Sequence, residues 1–160
     1  MPYLVRDVME TAVYSVSASV SLPDLERAFL KERVGAVPVV ARNGDLEGIV
    51  SRSDVVRQLS LEQSLAEVAG DVFREQSDEH WAEASAEAIG AAVGRRITSL
   101  RAGDIMIREV FTTEPDEPLE RAADRLLEHR IHRLPVLQQG RLVGMLSSLD
   151  FVALFASDRG

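Results

Sequence analysis

Apolar and polar positions along the 160 residues set out one string of elements twice. Residues 13–16 (Val-Tyr-Ser-Val) and 110–113 (Val-Phe-Thr-Thr) each read as a short strand. Leu22, Leu25 and Phe29 then recur at helical spacing, matched by Leu119, Ala122 and Leu126. Ser19 or Ser21 suits the N-cap of the first helix and Asp116 that of the second. Pro23 and Pro118 fall in the first turns, where a missing N–H is harmless. Residues 36–40 and 134–137 are apolar strands interrupted by proline, which belongs at a strand end or edge. Asn43-Gly44 and Gln139-Gly140 supply turns, and 46–50 and 142–146 return as strands. Asp54 and Asp150 open apolar helical stretches that end near Leu59 and Phe155. The order is β-α-β-β-α, twice, an α/β (α+β) chain. A unit this small leaves one sheet face uncovered, so the two copies are expected to pack sheet to sheet.

The copies align residue by residue. Asp7-Val8-Met9 recurs as Asp104-Ile105-Met106, an offset of 97. At that offset Val13 meets Val110, Arg33 meets Arg130, and Pro38-Val39 meets Pro135-Val136. One residue is lost in a turn, and at an offset of 96 Gly44, Gly48, Ser51 and Asp54 meet Gly140, Gly144, Ser147 and Asp150. The expected organisation is repeat 1 over 1–59, a helical insertion over 60–100, and repeat 2 over 101–160. The insertion is rich in Ala, Glu and Ser and holds the only tryptophan, Trp81. Its spacing predicts an extension of the preceding helix, a break near 70–77, and a second helix capped by Ser77 or Asp78. Trp81, Ala84, Ala88 and Ala92 share a small-residue face suited to close helix packing, with a basic end at Gly94-Arg95-Arg96. The alternative is an acidic, solvated linker.

Composition narrows the partners. With 46% apolar residues the chain can form a packed core, and with no cysteine it holds neither disulfide nor thiolate metal site. Eighteen Lys and Arg against 26 Asp and Glu leave a net charge of −8. That balance argues against nucleic acid or an anionic membrane as partner. No apolar run approaches the ~18 residues of a membrane span, and the N-terminus lacks a signal-peptide layout. A cytoplasmic location is expected.

Candidate chemistry lies in Gly-Ile-Val-Ser-Arg-Ser-Asp, residues 48–54, and its echo Gly-Met-Leu-Ser-Ser-Leu-Asp, residues 144–150. Ser-x-x-Asp before an apolar helix is an N-cap pattern with the acid in the first turn. The same residues also suit a ligand. Free N–H groups at the helix start attract phosphate, and a carboxylate accepts two hydrogen bonds from vicinal ribose hydroxyls. Both readings stand on the residues alone.

The duplicated Asp-h-Met (h, apolar), apolar-x-Pro-apolar strand and Gly-h-h-Ser-x-x-Asp together resemble a tandem pair of CBS domains, a Bateman module, over 4–59 and 101–155. That resemblance implies a pseudo-twofold module whose clefts bind adenosyl ligands: AMP, ADP, ATP, NAD(H) or S-adenosylmethionine, with or without Mg2+. No resident cofactor is required. It implies that Asp54 and Asp150 hold the ribose, with Ser51 and Ser147 beside the phosphates and Arg52 and Ser148 next to them. Thr11, Ala12 and Val13, and Arg108, Glu109 and Val110, would contact adenine. Val37-Pro38 and Leu134-Pro135 would close the pocket walls. The long middle departs from the usual short linker and leaves the assembly geometry open.

The two clefts are not equivalent. His132-Arg133 replaces Gly35-Ala36 of the first copy. Arginine offers phosphate a planar fork of donors, and histidine adds charge at low pH. The alternative is a solvated strand end with Arg133 paired to Glu109 or Glu114. Of the three histidines, His80, His129 and His132, none has metal-ligand spacing with a second His or Cys. No Gly-rich phosphate loop is present, so no enzyme is expected. The expected function is a stand-alone sensor of an adenosine-containing ligand that regulates another protein. The rivals are a ligand-free dimerisation scaffold and, less suited to these residues, a nucleotide-processing enzyme. A homodimer is expected through Val55, Val56, Leu59, Phe151, Val152 and Phe155, which are too apolar for a monomer surface.

Overall fold

The computed structural model describes residues 2–76 and 79–158, with side chains described outside 69–87 and 89. Its elements are α1 (Val5–Val8), α2 (Leu22–Glu32), β1 (Ala36–Val40), β2 (Leu46–Ser51), α3 (Arg52–Gln76), α4 (Glu79–Ser99), α5 (Ala102–Ile105), α6 (Leu119–His129), β3 (Arg133–Gln138), β4 (Arg141–Ser147) and α7 (Ser148–Ser157). β1 pairs with β2 and β3 with β4, each as a two-stranded sheet. The mixed helix and strand class of the sequence reading is therefore observed, in duplicate. No described helix is long and apolar enough to cross a membrane.

Two compact units form, and they cut across the two copies. One comprises residues 2–16, 38–48 and 107–158; the other comprises 17–37 and 49–106. The cause lies in the duplicated Asp-h-Met segments. In the first unit α1 docks on the loop ahead of α6: the Val5 and Arg6 amides donate to the Glu117 and Pro115 carbonyls, both at 3.0 Å. Val5 is fully buried there among Leu119, Ala122, Leu126, Leu134, Val136 and Leu146. In the second unit α5 makes the same contact on the loop ahead of α2. The Ala102 and Gly103 amides donate to Val20 and Ala18 carbonyls at 2.8 and 2.9 Å. Each copy thus lends its leading helix to the other copy's strand-to-helix loop. The aspartate of each motif is a cap: Asp7 Oδ2 accepts from the Leu4 amide at 2.9 Å, and Asp104 Oδ2 from the Arg101 amide at 2.7 Å.

Several expectations are corrected. Residues 13–16 and 110–113 are not strands; each contributes one parallel bridge, Val16 to Val39 and Thr113 to Val136. Val16 donates to the Pro38 carbonyl and accepts from Val40, and Thr113 does the same with Pro135 and Leu137. The next bond upstream would need an N–H on Pro38 or Pro135, so proline ends the ladder after one residue. Ser21, not Ser19, caps α2, accepting from the Asp24 amide at 3.3 Å. Asp116 does not cap α6; Pro118 takes that position, and Asp116 pairs with Arg6. The helix after β2 continues past Leu59 to Gln76, the extension expected of the insertion, and the expected second helix starts at Glu79; Gly70 does not interrupt the first. The caps assigned to Ser77 and Asp78 lie outside the described residues, as does the side chain of Trp81. Val55 is buried in the core, so it is not part of an exposed apolar face.

α3 and α4 form a helical hairpin and not a solvated linker. Glu62 is 3% exposed; its carboxylate accepts from Gln58 Nε2 at 2.9 Å and Arg96 Nε at 2.8 Å. A buried charge is stable only with such partners, so this contact clips the two helices together.

The copies also differ inside. In the second, Arg125 grips both oxygens of Glu117 at 2.8 and 2.9 Å and the Thr112 carbonyl at 2.7 Å, while the Thr113 hydroxyl donates to Glu117. The corresponding first-copy residues are Val16, Val20 and Ala28, an apolar solution at the same place. Burial pushes the Glu117 carboxyl up, but the hydrogen bonds and charge of Arg125, with those from Thr113 and the Glu114 backbone, hold it below its ordinary range.

A depressed folded pKa stabilises the protein above the unfolded value, and that contribution is lost as pH falls through the folded pKa. Glu117→Gln should therefore lower stability at neutral pH and flatten its decline with acid, measured by urea melts from pH 7 to 3. Gly144 bears a different constraint: a Cβ there would stand 2.7 Å from Met9 Sδ and 3.0 Å from the Glu10 carbonyl oxygen. Gly144→Ala should cost about 1–3 kcal/mol by overpacking, read as a lower urea midpoint at unchanged slope.

Candidate functional site

The second copy's candidate residues all lie within one compact unit. β3 and β4 pair antiparallel with Arg133 opposite Ser147, Leu134 opposite Leu146 and Pro135 opposite Met145. Residues directly opposite in such a pair project on the same face with Cβ atoms about 4.5–5.5 Å apart. Arg133 therefore stands beside Ser147 where β4 ends and α7 begins. Ser147 is the N-cap of α7, and Asp150 reaches back to it. Asp150 Oδ2 accepts from the Ser147 amide at 2.6 Å and its hydroxyl at 2.9 Å. Oδ1 has no partner among the described residues.

Next to Arg133, Leu134 and Pro135 are buried. Arg133 is half-buried and joins no ion pair among the described residues, so the pairing with Glu109 or Glu114 is not formed. The Thr113 bridge ties the preceding segment to β3, with Val110 half-buried and Arg108 and Glu109 exposed. His132 is exposed; its carbonyl accepts from the Ser148 amide at 3.0 Å. His132 and Ser148 also line an apolar groove of about 460 Å³ between α6 and α7, with Leu126, Ile131 and Phe151 in its walls. Among the described residues no His, Asp or Glu cluster is fit to hold a metal ion.

The first copy's candidates divide between the two units. Thr11 and Val13 line a cavity of about 170 Å³ with Val40, Gly44 and Leu142, and the Ala12 amide donates to Glu10 Oε1 at 2.9 Å. Pro38, in the same unit, is buried. In the other unit Val37 is buried, and Arg52 lies over the Phe29 ring at 5.9 Å from its centroid. Asp54 is held on every side. Oδ2 accepts from the Ser51 amide and hydroxyl, each at 2.8 Å, while the Ser51 hydroxyl accepts from the Asp54 amide at 3.2 Å. Oδ1 accepts from Arg57 NH1 at 3.1 Å, and the side chain is 4% exposed.

Two features escaped the sequence reading. Arg57 follows Asp54 by three residues, a spacing at which side chains meet on a helix, so the pair was legible. The stacking of Phe111 on His129, ring centroids 3.7 Å apart and 12° from parallel, joins a loop to the end of α6 and has no local signal.

A family model described as CBS domain matches residues 5–61 and 102–157. The chain belongs to the CBS domain family. This CBS pair is 27% identical over 154 residues to the uncharacterised protein MJ1225 of Methanocaldococcus jannaschii, covering 96% of this chain and 43% of that protein. It therefore spans less than half the length of that relative. Its fold matches the crystal structure of CBSX2 in complex with AMP, with a TM-score of 0.72, 24% identity and 99% of each chain covered. It also matches the CBS domain pair of protein MJ0100 in complex with 5′-methylthioadenosine and S-adenosyl-L-methionine. There the TM-score is 0.67, at 21% identity and 99% coverage of each chain.

The two capping carboxylates carry unequal loads in this CBS pair. Asp54→Ala removes a buried charge with three partner groups and should cost about 2–3 kcal/mol; Asp150→Ala should cost about 1 kcal/mol. Thermal unfolding of both variants checks the order.

Proposed function

We propose that this CBS pair is a regulatory module that binds an adenosine-containing ligand and communicates its presence to a protein partner. The observation that carries the reading is the corner at the start of α7, where Arg133 stands opposite Ser147 and Asp150 caps that residue through Oδ2 alone. The positive end of α7 and the Arg133 fork suit a phosphate; Asp150 Oδ1, without a partner among the described residues, suits vicinal hydroxyls of a ribose. Relatives of the same fold solved with AMP and with 5′-methylthioadenosine and S-adenosyl-L-methionine support this ligand class. On this reading Val110 and its neighbours take the base, while Leu134 and Pro135 wall the cleft. Ligand energy shifts the protein by favouring one arrangement over another.

A specific observation favours pairing of two copies as well. Leu127, which lines the apolar groove, and Leu149, Val152 and Phe155, three residues apart along α7, are all more than 60% exposed. Exposed apolar side chains at that spacing suit an interface. Light scattering should return about twice 17.6 kDa at micromolar concentration, and Val152→Glu should return the monomer.

A thermal-shift panel of AMP, ADP, ATP, NADH and S-adenosylmethionine, with and without Mg2+, tests the ligand class. A ligand at a hundredfold excess over Kd stabilises by about 2.7 kcal/mol; a flat response to all five supports a ligand-free scaffold. Arg133→Ala should weaken AMP about tenfold or more while leaving adenosine nearly unchanged, since only AMP offers a phosphate to the fork. Equal losses for both would give Arg133 a structural role.

A further inference from the structure

The helical insertion carries an apolar surface that the hairpin itself does not use. On α3, Leu61, Leu65 and Val68 follow one another at intervals of four and three and are 54, 57 and 63% exposed. Val72 continues the series in the sequence. Side chains so spaced form one stripe along a helix. α3 meets α4 through a different side, where buried Glu62 accepts from Arg96. Leu61 and Val68 stand about a quarter to a third of a turn away from Glu62. The CBS family model ends its first match at residue 61, so Leu65 and Val68 belong to what the insertion adds.

The groove between α6 and α7 is the counterpart in shape and charge. Its volume is about 460 Å³, and Leu126, Leu127, Ile131 and Phe151 make its apolar walls. The charged or titratable groups lining it are Arg130 and His132, neither in an ion pair among the described residues, and no carboxylate lines it. The stripe lies in an acidic arm: residues 60–99 hold eight Asp and Glu against three Arg, which is most of the chain's net charge of −8. A basic apolar groove and an apolar stripe on an acidic arm complement each other in both respects.

We propose that the groove receives the Leu61, Leu65 and Val68 stripe of a second copy. Each copy is then both donor and receptor, and two such contacts about a twofold axis close a dimer. This rests on the pairing of two copies proposed above and adds to it which surfaces meet. It gives the insertion a purpose, as the arm by which one copy grips the other. Leu65 and Leu127 are both exposed, so substitutions there test the contact without opening a core.

The chain has no cysteine, so single cysteines report proximity without background. Leu65→Cys and Leu127→Cys chains are treated with a short bis-maleimide, each alone and as a mixture. The expected result is a covalent dimer in the mixture, and little in either variant alone. By light scattering, Leu65→Glu and Leu127→Glu should each shift the mass from about twice 17.6 kDa to that of the single chain, with unchanged thermal midpoints. A dimer that survives Leu65→Glu but not Leu127→Glu, or Leu127→Cys crosslinking to itself and not to Leu65→Cys, means that α6 and α7 pair with their own copies; the arm contact falls and the pairing stands. A dimer that survives both Glu variants also overturns the contact. A monomeric wild type at the same concentration overturns the contact together with the pairing.

Discussion

One local interaction recurs at four helix starts: an aspartate at the third position of a helix accepting the amide of the residue before it. Asp7, Asp54, Asp104 and Asp150 all make it, at 2.6 to 2.9 Å. At the two short helices the bond sets the chain direction so that Val5 and Ala102 enter a core. At α3 and α7 it turns a strand into a helix within one residue. A charge-assisted hydrogen bond to an amide that otherwise has no partner holds each joint. The same bond holds Asp54 and Asp150 at the starts of α3 and α7.

Duplication makes the scaffold, and a few substitutions make its halves different. Thr113, Glu117 and Arg125 build a half-buried ion pair where the first copy has Val16, Val20 and Ala28. Both solutions fill the same space; the polar one adds a dependence on acid that the apolar one lacks. Arg133 stands where the first copy has Ala36, and Arg57 where the second has Ala153. Arg133 joins no ion pair among the described residues, while Arg57 is bound to Asp54.

The family and its repeated elements were readable from residue patterns because both copies obey the same physics. Apolar positions at Leu119, Ala122 and Leu126 became the buried face of α6, and Pro38 and Pro135 marked strands that accept only one neighbouring bridge. Errors fell where one local signal competed with another. Asp116 has the chemistry of a cap, yet Arg6 from a distant segment claims it. Residues 13–16 have a strand pattern, but whether a strand forms depends on donors in its neighbour, and a proline there has none. Ser-x-x-Asp was read as both cap and ligand site, and the cap is present in both copies.

The sequence by itself determined the duplication, the paired strands and their turns, the longer helices and the two Ser-x-x-Asp caps, because each depends on residues within a few positions of one another. Tertiary structure decided which copy's leading helix packs on which core, since that choice is made by backbone groups some hundred residues apart, as with Val5 and Glu117. It also decided that Arg133 stands beside Ser147, through the β3–β4 register. A register is set by pairing between strands and not by neighbours along the chain, so only the folded protein brings these two residues side by side.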